Sequence, residues 1–332
     1  MNARENFEAF LNHEPLEWIP TFPDTQRGGG SVEYWELGEL MKGGPDGFGT
    51  EWIATESTGF AVTPDSRVTP ITDICEWESQ IKFPDLDAID WEAYAESQTA
   101  PWNRDEKMMM YSTYNSIFER VTHLLGFEEG LCAFVEEPEA TMDLCNAITD
   151  YKIDLIERVA HYIKPDVVIH YDDVATARNL FTSPEIYREF IKPCHKRLND
   201  AISALGMYPT LHCCGYCAEL VPDFIEEGNV AWFSADPSND IASLLAKYGD
   251  KISISGGYDT QGPTGQSTAS EELVRAEVRR CFEEYAFLGK SFMVAAFIMG
   301  QKTHPTIKAL MGAIADETAK CQELFRAGAY AR

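Results

Sequence analysis

The chain has 332 residues, of which 45% are hydrophobic and 12% aromatic, and its formal net charge is −27 at pH 7. This excess of carboxylates excludes nucleic acid and anionic membranes as partners, because phosphate groups are bound through Lys and Arg. No apolar run approaches the roughly 20 residues that cross a bilayer, and the amino terminus lacks a secretory pattern. Nine cysteines in a chain of this size indicate reduced thiols. We therefore expect a soluble, cytoplasmic protein.

The first half of the chain contains few clear elements. Residues 18–22 and 108–112 are predicted strands, and the periodicity of Pro138–Tyr162 predicts a long amphipathic helix. Between the two strands, residues 28–102 are rich in Gly, Asp and Trp and are predicted to form an insertion over the mouth of the domain. The glycine triplet at 28–30 lacks the Lys-Ser/Thr of a phosphate loop and is interpreted as a flexible lid element.

The second half alternates short apolar runs with helical patterns of ten to twenty residues. This alternation requires right-handed βαβ units and a parallel sheet. The predicted strands are Val167–Tyr171, 208–213, Ala231–Ala235, 252–255 and 292–297, and the predicted helices are 184–205, 218–227, 240–248, 270–286 and 306–325. The sequence therefore predicts an α/β fold, a (β/α)8 TIM barrel that spans residues 1–332 as a single domain with the insertion covering its mouth.

In such a barrel the active site lies at the carboxyl ends of the strands. Five or six predicted strands deliver polar side chains to that end. For any single aspartate a cap or a turn is the competing interpretation. The adjacent Asp172 and Asp173 would repel each other unless a cation, a donor or a proton relieved them. The side chains at the predicted strand ends are Asp24, Arg27, His170, Tyr171, Asp172, Asp173, His212, Cys214, Ser234, Asp236, Tyr258, Asp259, Met299 and Gln301.

His212 and Cys214 form the pair most typical of a metal site. Side chains two residues apart point to the same side of an extended chain. One imidazole and one thiolate can therefore face one cation, and together they suit zinc better than a hard ion. The competing interpretation is a buried cysteine beside a hydrogen-bonded histidine.

The chain resembles the uroporphyrinogen decarboxylase superfamily, and within it the corrinoid-dependent methyltransferase branch. The resemblance extends over nearly the whole chain. It rests on Arg4 with residues 10–12, on 15–20, 48–52, 72–74 and 82–86, on 170–173, on 212–215, and on 248–252 and 256–259.

The resemblance implies a zinc ion held by a His-x-Cys pair and by a later cysteine near the last strand. His212 and Cys214 match the pair, but residues 297–304 contain no cysteine. We take His304 as the third candidate ligand. The alternatives for that third ligand are Cys217, Asp259 and Asp172, and a site without metal is a further alternative.

Within this branch the sequence looks most like the first methyltransferases of O-demethylase systems. The resemblance then implies transfer of a methyl group from an aryl methyl ether to the cobalt of a separate corrinoid protein. The alternatives are a uroporphyrinogen decarboxylase-type enzyme, whose Arg-Gln-Ala-Gly-Arg stretch is absent here, and a methylcobamide:thiol methyltransferase. A homodimer is also expected.

Roles follow from this hypothesis. Asp172 and Asp173 are the predicted catalytic groups, as an acid, a further ligand or a partner of His212. The predicted substrate-binding residues are Asp24, Tyr171, Tyr258 and Asp259. The aromatic side chains expected to sandwich the ring, unless they are plain core, are Trp52, Phe60, Tyr171 and Phe297.

Overall fold

The computed structural model describes residues 1–28, 43–54, 62–300 and 303–329. Within these ranges the strands are β1 (Thr25–Gly28), β2 (Gly44–Pro45), β3 (Glu51–Ala54), β4 (Val62–Pro64), β5 (Met108–Thr113), β6 (Val167–Tyr171), β7 (Tyr208–His212), β8 (Ala231–Ala235), β9 (Ser253–Gly256) and β10 (Phe292–Val294). Seven of them form a curled parallel sheet that carries the fold, in the order β1-β5-β6-β7-β8-β9-β10, and β2, β3 and β4 form a separate antiparallel sheet. The predicted TIM-barrel-like α/β fold is confirmed.

Helices follow the strands of the parallel sheet and cover its outer face. In the second half of the chain their ends lie within a few residues of the predictions, because capping side chains mark the starts. Ser183, Asp240 and Ser270 each accept a backbone N–H of the first turn that follows. The helices are α1 (Ala3–Leu11), α2 (Trp77–Gln80), α3 (Trp91–Thr99), α4 (Phe118–Leu125), α5 (Phe127–Glu136), α6 (Pro138–Tyr162), α7 (Pro184–Ile186), α8 (Lys192–Ala204), α9 (Val221–Glu226), α10 (Ile241–Tyr248), α11 (Glu271–Glu284) and α12 (Pro305–Arg326).

The predicted strand at 18–22 is wrong. The backbone N–H of Ile19 donates to the side chain of Gln322 in α12, at 2.9 Å, and the Gln322 amide donates back to the Ile19 carbonyl. A distant side chain therefore satisfies the groups that a neighbouring strand would otherwise pair. The first strand begins only at Thr25, which pairs with Met108.

Two layers of core enclose the sheet, because successive side chains of a strand point to opposite faces. Inside the barrel, Val167 and Ile169 pack with Phe7 and Phe10 of α1. The start of α1 carries a capping box between Asn2 and Glu5. Helix α1 thus contributes its apolar face to the interior core.

The insertion contacts the barrel through a buried ion pair. The Arg120 guanidinium of α4 donates to Asp46 at 2.6 Å, and both side chains are fully buried. Trp52 Nε1 donates to the same carboxylate at 3.1 Å, and Trp52 packs with Tyr114, which follows β5. The small sheet therefore lies beside the carboxyl end of β5. That the insertion covers the mouth stays a prediction.

None of the described helices combines the length and the apolar character that crossing a membrane requires.

Candidate metal centre

Three side chains of different chemistry meet at the carboxyl ends of β6 and β7. Ligand atoms of Asp173, His212 and Cys214 lie within 4.8 Å of one another, and among the described residues this is the one such group of His, Cys, Asp or Glu. Cys214 Sγ lies 3.4 Å from His212 Nε2, and that nitrogen lies 3.9 Å from Asp173 Oδ1. One sulfur, one nitrogen and one oxygen are ligands that Zn²⁺ accepts, and three protein ligands leave a fourth position for substrate.

The alternation of strand β7 explains why these ligands converge. Leu211 and Cys213 lie in the core between the sheet and its helices, whereas Tyr208 packs into the core inside the barrel. His212 and Cys214 share the parity of Tyr208 and turn toward the mouth. The structure therefore brings this pair together as its spacing predicts.

The Cys214 thiol is half-buried at this site. Burial raises its pKa well above the ordinary value, and the Asp173 carboxylate raises that pKa further. Without a cation, the sulfur therefore keeps its proton at neutral pH. A bound cation would have to displace this proton, since the thiolate is the metal ligand.

An aromatic surface adjoins the group of potential ligands. The ring of Tyr171 stacks on His212 with 4.0 Å between centroids and 20° between planes. The ring of Tyr114 lies 4.5 Å from Tyr171. Tyr171, predicted as a substrate-binding residue, is thus placed at the site.

Asp173 faces the mouth with its charge disfavoured. Burial raises the pKa of this carboxyl to about 6, and the neighbouring Asp172 charge adds to the shift. Its Oδ1 accepts the backbone N–H of Cys214 at 2.7 Å, which ties the two potential ligands together.

Glu119 is a site residue that the sequence does not reveal. Burial raises its pKa well above the ordinary value, and the charges of Asp173 and Asp172 raise it further. The charge of Arg120 and the backbone N–H of Asp173 act in the opposite direction on this pKa without cancelling the rise. Glu119 belongs to the first turn of α4, where an acidic residue is an ordinary feature of helices. Nothing local therefore marks it as part of the site.

Asp172 does not face the mouth, which corrects its predicted catalytic role. Its side chain is fully buried. The carboxylate accepts the backbone N–H groups of Ile117, Phe118 and Glu119 at 2.8–3.1 Å and a hydrogen bond from His195 Nε2 at 2.8 Å. Adjacent residues of an extended chain point to opposite sides, so Asp172 binds the start of α4 while Asp173 enters the site.

The repulsion expected between the two aspartates is therefore relieved by hydrogen-bond donors and by His195. Burial opposes the charge of Asp172, but the hydrogen bonds from His195 and from the start of α4 outweigh burial and lower its pKa.

His195 carries the compensating positive charge. Burial opposes the protonated ring, but hydrogen bonds to Asp172 and Glu227 outweigh burial and raise its pKa to about 9. Its Nδ1 lies 3.4 Å from Glu227, which also accepts from the Tyr187 hydroxyl at 2.5 Å. The protonated imidazole thus joins two buried carboxylates behind the site.

This pairing predicts a loss of stability at alkaline pH. The imidazole has an ordinary pKa of 6.5 and a folded pKa of about 9, so its stabilisation is full below pH 6.5 and is lost as the pH rises through 9. We expect the free energy of unfolding, measured in urea, to fall by about 3 kcal/mol across this window. His195→Gln should remove that dependence, whereas His161→Gln at the exposed end of α6 should retain it. An unchanged slope in His195→Gln would contradict the assignment.

Several predicted site residues lie elsewhere. Asp24 precedes β1, at the opposite end from the mouth, and accepts hydrogen bonds from the Thr21 backbone and hydroxyl. This position contradicts its predicted substrate contact, because the strand thought to end there does not exist. His304 is exposed before α12 and does not belong to the group of potential ligands.

The other predicted residues have partners in their own loops or in the core. Tyr258 is buried and donates to the Thr264 carbonyl, and Asp259 accepts from the Gly262 backbone. Cys217 is buried and contacts the Gly215 carbonyl. Trp52 is a buried contact of Tyr114, and Phe297 is partly exposed. Outside the described part of the chain lie the glycine triplet's positions 29 and 30, Phe60, Gln301 and the Arg27 side chain.

A family profile and one solved structure agree with this architecture. A sequence profile of the uroporphyrinogen decarboxylase (URO-D) family matches residues 103–316, which is more than half of the chain. No curated protein sequence matches significantly. Among solved structures, a methyltransferase from Methanosarcina mazei superposes with a TM-score of 0.67 at 12% identity, covering 96% of this chain and 99% of its own. A xylose isomerase domain protein from Planctomyces limnophilus superposes with a TM-score of 0.39 at 11% identity, covering 71% of this chain and 84% of its own.

Proposed function

This chain belongs to the uroporphyrinogen decarboxylase family, and from that premise we propose that it is a zinc-dependent methyltransferase. In this proposal it moves a methyl group from an aryl methyl ether to the cobalt of a separate corrinoid protein. The observation that carries the proposal is the group of Asp173, His212 and Cys214 at the carboxyl ends of the strands.

The donor set suits a cation that accepts soft ligands. His212 and Cys214 would hold the zinc, with Asp173 as the oxygen ligand, and an open position would remain toward the mouth. When bound, the zinc would supply Lewis acidity to an oxygen of the substrate. This oxygen needs such help, because a phenolate is a poor leaving group until its developing charge is stabilised.

The side chains of this site would do the remaining work. Tyr171 and Tyr114 place two aromatic rings, tilted by 49° to each other, beside His212, and an aromatic substrate would pack against them. Transfer breaks the bond between the methyl carbon and the ring oxygen, and the electron pair stays on that oxygen. Glu119, whose pKa is raised by burial and by the charges of Asp173 and Asp172, would be the acid that gives a proton to the departing phenolate.

The acceptor in this proposal is a protein, since the cobalt must reach the methyl group through the open end of the barrel. A net charge of −27 gives this chain a field that would steer a partner with a basic docking face. That partner is inferred from the family resemblance.

The test is a methyl-transfer assay. The purified chain, loaded with zinc, is mixed with reduced corrinoid and a panel of methoxylated aromatics, and methylcobalt formation is followed by its absorbance. We expect turnover that a zinc chelator abolishes and that added zinc restores. Absence of methylcobalt across the panel, with zinc bound, would refute the aryl ether as donor.

Two further assays separate the alternatives. Release of carbon dioxide from uroporphyrinogen, insensitive to the chelator, would identify a decarboxylase instead. Methylation of a thiol from methylcobalamin would identify the thiol-specific reaction. We expect neither.

A further inference from the structure

Ser234 adopts a backbone conformation that L-residues rarely take. Its φ is +66°, and Ser234 is one of four non-glycine residues with a positive φ in the part of the chain that the structure describes. A left-handed conformation costs free energy in a residue with a Cβ atom, and it persists only where the surrounding structure enforces it. Such a residue next to a functional group requires an explanation.

The strain arises at a bulge between β8 and β9. Phe233 pairs with Ser255, but the next pair joins Ala235 to Gly256, so Ser234 is an extra residue. Gly256 makes this possible. A Cβ at that position would lie 2.3 Å from the Ala235 carbonyl oxygen, and its φ is +154°.

The bulge reverses the direction of one side chain. Ala231 and Phe233 lie in the core inside the barrel, and Ala235 lies in the outer core. In a regular strand Ser234 would point outward and Ala235 inward. Here the Ser234 hydroxyl instead reaches His212 Nδ1, at 3.0 Å.

We infer that Ser234 is a positioning residue, whose Oγ accepts the Nδ1–H of His212 and so leaves the Nε2 lone pair facing Cys214 and Asp173. An imidazole that binds a metal through one nitrogen usually donates its other N–H to an oxygen, which fixes both tautomer and ring orientation. Stacking of Tyr171 on the ring limits its tilt, while Ser234 sets its rotation. The part of this inference that concerns a bound metal ion rests on the proposed function.

Ser234→Gly tests the inference with little risk to the fold, because glycine adopts a positive φ without strain. We expect its melting temperature to equal or exceed that of the wild type. Its zinc affinity, measured by chelator competition, should fall about 10- to 100-fold. If Ser234 were only structural, its replacement by glycine would not lower the zinc affinity while the melting temperature stayed the same or rose.

The metal-free protein supplies a second readout. In ¹⁵N-histidine NMR spectra the wild-type His212 should show the Nδ1–H tautomer, and Ser234→Gly should shift the ring toward Nε2–H. The matched control is Ser255→Ala on the next strand, whose buried hydroxyl has no hydrogen-bond partner among the described residues. That control should retain both the tautomer and the affinity.

An unchanged tautomer in Ser234→Gly overturns the inference, and so does a wild type in the Nε2–H form. Failure of the proposed function gives a different result. If the wild type binds no zinc, the metal hypothesis fails, and the tautomer shift in the metal-free protein still decides the role of Ser234.

Discussion

Cys214→Ser should abolish zinc binding at the proposed site and lower the rate of the proposed methyl transfer by at least about 10²- to 10³-fold. The substitution keeps the size of the side chain but replaces a soft sulfur with a hydroxyl, which is a poor zinc ligand. Zinc content per chain, measured by elemental analysis after dialysis, is the primary readout. Methylcobalt formation with the best ether of the panel is the second.

The neighbouring cysteine provides the matched control. Cys213 is fully buried in the core outside the sheet and faces away from the mouth. Cys213→Ala should lower the free energy of unfolding by the cost of a small cavity and should retain zinc. If Cys214→Ser retains one zinc per chain while Cys213→Ala loses it, the orientation of this loop is wrong and the proposed site must be abandoned.

Asp172→Asn should lower the free energy of unfolding by about 3–5 kcal/mol, because it leaves the protonated His195 without one of its two buried carboxylates. The amide also loses acceptor capacity for the N–H groups at the start of α4. Denaturation in urea at pH 7, with the slope of the transition compared between variants, measures this loss.

Asp173→Asn should leave the free energy of unfolding almost unchanged and should impair function instead. Burial already disfavours the charge of Asp173, so a neutral amide should change stability by less than about 1 kcal/mol. The same substitution removes a potential zinc ligand and should impair both zinc binding and turnover. An Asp172→Asn variant with wild-type stability and no activity would instead restore the catalytic role that the sequence suggested for Asp172.

The elements of the second half could be predicted from the sequence because their signals are local. Apolar runs followed by capped amphipathic patterns located β6, α10 and α11 within a residue or two. The strand predicted at 18–22 failed for a reason that lies some 300 residues away, where Gln322 satisfies the backbone of Ile19. No window around residue 20 contains that information.

For the candidate site, the two-residue spacing of His212 and Cys214 was sufficient to place both side chains on one face of a strand. The same rule states that Asp172 and Asp173 point in opposite directions. Only packing decides which of them faces the mouth, since that depends on the start of α4 and on His195.

What the sequence determined by itself is therefore the α/β alternation and the pairing of one imidazole with one thiol, because both follow from backbone geometry over a few residues. The tertiary structure decided the rest. Glu119 enters the site from a helix that follows a different strand, and Ser234 reaches His212 only because Gly256 on the next strand leaves room for a bulge. Contacts between distant segments depend on the packing of the whole barrel, which no local pattern contains.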